Sequence, residues 1–138
     1  GGSAAMHALR EGQTLRIGAP KNHFALAAGA AHHLLLAGGI GITPLLCMTE
    51  RLADAGDSFE LHYSTRSAAR AAFAERIRSS SFADRATLHH DDGPAAQRLD
   101  IDAVLTNFPG IERDDVLACI AFAAELARER TIHTRDAA

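Results

Sequence analysis

With 138 residues, 47% of them hydrophobic and 22% charged, the chain has the makeup of one ordered domain large enough for its own core. Its 14 Lys and Arg against 17 Asp and Glu give a net charge of -3, which excludes the basic footprint of a nucleic-acid or anionic-membrane binder. No apolar run approaches the ~20 residues of a membrane span, so the expectation is a soluble cytoplasmic protein.

The chain opens on Gly1-Gly2-Ser3, with neither an initiator Met nor the charge pattern of a signal peptide, and reads as a cut inside a longer gene product. Up to about residue 28, short strand-like pieces alternate with turns. Leu15-Arg16-Ile17 precedes Gly18-Ala19-Pro20, and Phe24-Ala25-Leu26 follows Lys21-Asn22-His23. Such pieces are too few to close a sheet by themselves.

From His32 the rhythm changes. His33-Leu34-Leu35-Leu36-Ala37 is a continuous apolar run, as expected of a parallel strand buried on both faces. Gly38-Gly39-Ile40-Gly41 follows, then a helix-like stretch from Thr43 to about Ala55, ended by Gly56-Asp57. Phe59 to Tyr63 reads as a second strand, and Ala68 to Arg78 as a helix with Ala69, Ala72, Phe73 and Ile77 on one side. Ala86 to His90 is a third strand, closed by Asp91-Asp92-Gly93-Pro94, and Asp100 to Leu105 can form a turn or two of helix. Strand, helix, strand, helix, strand is the grammar of an α/β fold on a parallel sheet.

The last segment, Asp114 to Arg130, is a strong amphipathic helix. Val116, Leu117, Ile120, Ala124 and Leu126 supply its apolar positions, Asp114 or Asp115 starts it, and Arg128 and Arg130 complement its dipole. Cys47 and Cys119 both sit in apolar, helix-like runs and are expected as buried free thiols. The chain lacks the ligands for a disulfide framework, a zinc site or a cysteine-held iron–sulfur cluster.

The ten residues Ala37 to Leu46 carry the most chemistry, because they join an apolar strand to a helix. Glycines at 38, 39 and 41 let the backbone turn sharply and come close to a ligand. Thr43 is a good N-cap and Pro44 suits the first helical position. The free N–H groups of that helix start favour a pyrophosphate. The same glycines would also serve a tight turn with no ligand. Pro44 moreover stands where the usual dinucleotide fingerprint has its third glycine, so spacing alone leaves both readings open.

The second strand ends in Ser64-Thr65-Arg66-Ser67, where a dinucleotide fold meets the adenosine ribose. Hydroxyls and an arginine suit phosphate oxygens, although Ser67 as a helix cap beside an exposed Arg66 accounts for them equally. His89, His90, Asp91 and Asp92 could suggest a metal site. Adjacent residues at a strand end point in opposite directions, however, so an exposed turn is the better reading.

Taken together and in order, Gly1-Gly2-Ser3 with Met6-His7, Pro20 to Phe24, Ala37 to Leu46, His62 to Ser67 and His90 to Gly93 resemble the phthalate dioxygenase reductase and vanillate demethylase reductase group of the ferredoxin-NADP reductase superfamily. The resemblance runs to about residue 107. It implies residues 1–28 as a remnant of a flavin-binding β-barrel, 29–107 as an incomplete NAD(P)-binding α/β domain and 108–138 as an atypical helical tail. It implies a fragment of the electron-transfer reductase of a Rieske-type oxygenase or demethylase, using NADH or NADPH and FMN, with an oxygenase component as partner. Carried over residue by residue, Gly2 and Ser3 match the segment near the flavin phosphate. Gly38, Gly39, Ile40, Gly41, Thr43 and Pro44 match the pyrophosphate turn, and Thr65, Arg66 and Ser67 the adenosine end. The flavin does the redox chemistry, so no side chain is assigned as catalytic.

Three departures stand out. The barrel's earlier strands and its Arg-x-Tyr-Ser motif are missing. Asn107-Phe108-Pro109-Gly110-Ile111 stands where the family's Cys-Gly-Pro strand end belongs, and the cysteines of the 2Fe–2S domain do not appear. From Asn107 to about Thr131 the chain is instead similar to the helical ends of small antitoxin-like proteins. That similarity carries an alternative expectation, a non-catalytic module that dimerises through its last helix.

Overall fold

The computed structural model describes residues 2–118, with side chains from residue 4 on. Gly2–His7 form a six-residue helix, α1. From there to His32 no strand forms: the two short strands expected at Leu15–Ile17 and Phe24–Leu26 are irregular backbone. A strand needs neighbours to pair its N–H and C=O groups, and none lies alongside among the described residues. Ile17 is accordingly 84% exposed, although Leu26 folds back to pack against the core.

The expected parallel sheet is present. His33–Gly38 form β1, Phe59–Thr65 β2 and Ala86–His90 β3, paired in that order and all parallel. In register Leu35 lies beside Leu61, and Tyr63 beside Leu88. Alternation then decides which side is core. Leu35, Ala37, Phe59, Leu61 and Tyr63 are buried, while Leu34, Leu36 and His62 on the other face are half-buried. The apolar run of β1 therefore alternates rather than being sealed on both faces, because the described helices cover one face far more fully than the other.

Helix α2, Ile42–Ala55, closes the core by setting Ile42, Leu45, Leu46 and Leu52 against the sheet. Its C-terminus is stopped as expected. Gly56 takes a left-handed φ of 73°, its N–H meets the Ala53 carbonyl at 3.2 Å, and the Asp57 N–H meets Leu52 at 3.0 Å. Cys47, expected buried, is exposed on the far side of this helix, since the inward stripe takes other positions. Cys119 lies outside the described residues.

The single helix expected over Ala68–Arg78 is broken in two. A 3₁₀ turn at Ala68–Arg70 is followed by Phe73 at a φ of 60°, and only then by helix α3, Ala74–Arg78. The break leaves Phe73 44% exposed while seating Ile77 fully in the core. A left-handed non-glycine residue costs roughly 1–2 kcal/mol, comparable to what burying an isoleucine returns.

Helix α4, Ile101–Asn107, starts on Asp100, whose carboxylate accepts the Ala103 N–H at 3.0 Å. Phe108 then stacks on His32 with ring centroids 5.3 Å apart, bringing the chain back to the foot of β1. Helical backbone resumes at 113 and runs to 118, the last described residue. Asp115 accepts the Glu112 N–H at 2.9 Å, Arg113 pairs with Asp102, and Val116 is wholly buried, so the start of the tail packs on its own domain. The remainder of the expected helix to Arg130 lies outside the described residues.

Leu61, fully buried between β1 and β3, and Ile17 make a matched test. Leu61→Ala should lower unfolding free energy by about 3 kcal/mol, whereas Ile17→Ala should change it by less than about 0.5 kcal/mol. Urea denaturation followed by circular dichroism reads both.

Candidate functional site

Parallel pairing sends the ends of all three strands to one edge, with Gly38 beside Ser64, and Ser64 beside His89. The glycine turn sits at that edge. Gly39, Ile40 and Gly41 form one turn of 3₁₀ helix leading straight into α2. Gly39 takes a φ of 49°, while Gly41 has an ordinary helical φ of -59°. The need for glycine therefore rests on Gly39, and a Cβ built there would meet nothing within 4 Å. Its backbone faces open space, as a site for a ligand's phosphates requires.

The cap differs from expectation. Thr43 does not cap α2: Gly41 holds that position, and the Thr43 hydroxyl donates to the Ile40 carbonyl at 3.0 Å, bracing the turn from inside the helix. Pro44 is the third helical residue rather than the first. The helix begins two residues ahead of the start that a Thr43 cap would set, and its first residue, Ile42, is fully buried in the core. Pro44 is still tolerated, because its missing N–H belongs to the first turn. No side chain caps this N-terminus, and the 3₁₀ turn carries the helical path back to Gly39, with the Ile42 N–H bonded to the Gly39 and Ile40 carbonyls, so the dipole there favours an anion. Across a cleft, Asn22, Phe24 and Leu26 of the N-terminal segment face Pro44, Met48 and Arg51.

At the end of β2 the three predicted residues divide. Thr65 is buried, and its hydroxyl lies 3.0 Å from the Ser67 carbonyl and 2.9 Å from His90 Nδ1. It donates to the first and accepts from the second, so it is committed to holding the turn. Arg66 is exposed, and among the described residues no carboxylate pairs with it. Ser67 precedes the 3₁₀ turn without a side-chain capping bond. The Asp91 and Asp92 N–H groups donate to the Thr65 and Arg66 carbonyls at 3.0 and 3.1 Å, extending the β2–β3 pairing past the strands. Gly2 and Ser3 lie in α1, well before these elements in the chain.

The histidines at the end of β3 point to opposite faces of the sheet. Among the described residues no group of three or more His, Cys, Asp or Glu could hold one. His90 turns to Thr65, and His89 turns to the opposite face and His62, as alternation along a strand requires. Among the described residues no helix is long and apolar enough to cross a membrane.

No family model matches the chain. It is 56% identical over 108 residues to the vanillate O-demethylase oxidoreductase of Pseudomonas putida, taking in 78% of this chain and 34% of that protein. Over that shared stretch the chain belongs to the phthalate dioxygenase reductase and vanillate demethylase reductase group. It is also 46% identical over 112 residues to the tert-butanol monooxygenase / tert-amyl alcohol desaturase reductase subunit of Aquincola tertiaricarbonis, covering 80% of this chain and 33% of that one. Phthalate dioxygenase reductase, whose structure is described as modular for electron transfer from pyridine nucleotides to a 2Fe–2S centre, matches with a TM-score of 0.57 and 30% identity over 85% of this chain and 36% of its own. The chain spans about a third of the length of the curated relatives it matches.

Within this reductase group framework the glycine turn, Arg66 and Ser67 come to one edge of the sheet. Sequence reasoning missed His90, the bracing partner of Thr65. Its place one residue beyond the register of Ser64 was the available cue, but it needs the β2–β3 alignment to be read. Replacing Gly39 by Ala should lower stability by about 1–2 kcal/mol, the cost of a left-handed residue carrying a Cβ; thermal unfolding of the two proteins side by side checks this.

Proposed function

We propose that this chain is the pyridine-nucleotide-binding portion of an electron-transfer reductase that serves an oxygenase or demethylase. The observation that carries the reading is an uncapped α2 N-terminus behind a left-handed Gly39, at the sheet edge where the exposed Arg66 also stands. Backbone N–H groups of the turn formed by Gly38, Gly39, Ile40 and Gly41 would hold the pyrophosphate. Thr43 and Pro44 shape that turn, and Arg66 and Ser67 would meet the adenosine end, with Thr65 bracing them. A bound pyridine dinucleotide supplies the hydride; the chain's own part is to bind and orient it.

In this reading residues 1–28 derive from the flavin barrel and 29–107 form the nucleotide domain. By resemblance Gly2 and Ser3 would lie near the phosphate of FMN. A six-residue α1 is too short to present an anion site of its own, so flavin binding requires residues beyond those two.

Calorimetric titration with NADH, NADPH and FMN, using the wild type, Gly39→Val and Arg66→Ala, tests the proposal. A pyridine nucleotide should bind with micromolar affinity and weaken at least about tenfold in Gly39→Val. Arg66→Ala should cost NADPH more than NADH by about tenfold, near 1.4 kcal/mol, if the arginine faces a 2′-phosphate. A folded chain that binds neither nucleotide would falsify the reading.

A further inference from the structure

The carbonyls of the turn that follows β2 are all occupied. That of Thr65 accepts the Asp91 N–H at 3.0 Å and that of Arg66 the Asp92 N–H at 3.1 Å. That of Ser67 accepts the Arg70 N–H at 3.0 Å and the Thr65 hydroxyl at 3.0 Å. Three successive oxygens that would repel a phosphate are thus engaged within the protein. What the turn still presents is the exposed Arg66 and the half-buried Ser67. Behind them, Thr65 and His90 are partners in the β2–β3 register, so their side chains leave the sheet on one face. His90 Nδ1 lies 2.9 Å from the Thr65 hydroxyl. Resting on the pyridine-nucleotide reading above, we propose that His90 is a positioning residue for the adenosine end, holding Arg66 and Ser67 in place through the Thr65 hydroxyl.

Counting hydrogens fixes the direction of these bonds. A carbonyl can only accept, so the single hydroxyl hydrogen of Thr65 is spent on a carbonyl. The contact with His90 is then satisfied only if Nδ1 carries a hydrogen and the Thr65 oxygen accepts it. A neutral His90 is therefore the Nδ1–H tautomer. Two carbonyls compete for the hydroxyl, Ser67 at 3.0 Å and His89 at 3.4 Å. The ring N–H occupies the far side of the oxygen and so keeps the hydroxyl aimed at Ser67. Arg66 is the residue enclosed by the bond from Thr65 to Ser67, and fixing both of its neighbours fixes the base of its side chain. A guanidinium held in advance gives up less freedom when a ligand arrives, which is how a residue without ligand contact sets affinity.

Two measurements on the full chain test the role. Imidazole nitrogen NMR of the neutral His90 ring should show the hydrogen on Nδ1, with or without nucleotide. In calorimetric titration with NADH, His90→Ala and Thr65→Val should each weaken binding by about fivefold, and the double variant no further, because both remove one chain of bonds. ADP-ribose, which keeps the adenosine and pyrophosphate but lacks the nicotinamide, should lose by the same factor. His90→Asn, whose amide N–H can stand in for Nδ1–H, should return to within about twofold of the wild type. An Nε2–H tautomer, losses that add in the double variant, or a loss with NADH that ADP-ribose does not share would overturn the positioning role. Equal binding of NADH by His90→Ala and the wild type would overturn it too, while leaving the nucleotide site standing. A wild-type chain that binds no nucleotide would remove both. Should His90→Ala not fold, the near-isosteric Thr65→Val and the tautomer of the wild type decide the matter.

Discussion

Parallel pairing of three strands is the constraint on which this structure turns. An antiparallel neighbour can be reached by a two-residue turn, but a parallel one requires the chain to travel back across the sheet. Each return helix must start at the same edge, so the turn after β1, the turn after β2 and the end of β3 are neighbours whatever their sequences. The start of α2 and the end of β2, with Arg66 just past it, therefore lie at one edge. The fold gathers them before any side chain has been chosen for binding.

Much of this frame was legible in the residues, for physical reasons. β1, β2 and β3 are short segments bounded by turn formers, and they appear within a residue or two of expectation. Gly56 stops α2 as a left-handed C-cap should. What resisted reading depended on partners distant in sequence. Leu15–Ile17 has the composition of a strand without a neighbour to make it one. Cys47 lies in an apolar run but outside the stripe that α2 turns inward. Phe73 breaks a helix whose spacing looked continuous, because Ile77 had to reach the core.

The site divides along the same line. Glycines at the turn are recognisable from composition, but which one needs the left-handed region is a property of the path into α2, and Gly39 alone takes it among Gly38, Gly39 and Gly41. Thr65 reads as a ligand contact in sequence, yet its hydroxyl is spent on Ser67 and His90. A hydroxyl that braces a turn preserves the position of its neighbours, which here leaves Arg66 and Ser67 as the outward-facing members. Past α4, the buried Val116 and the Arg113–Asp102 pair hold the start of the last described segment to the residues before it.

The spacing of the strand partners has a kinetic corollary. The contact from His32 to Ser58 closes a separation of 26 residues and that from Thr65 to His90 one of 25. No strand pair here is local, so the sheet lacks a hairpin from which assembly can begin. Loop-closure entropy must be met twice before either ladder rewards it. Helix α2 can form transiently beforehand, but it gains lasting stability only when β1 and β2 flank it. Ile42, Leu46 and Leu61, buried in one cluster, are where α2 and the sheet meet.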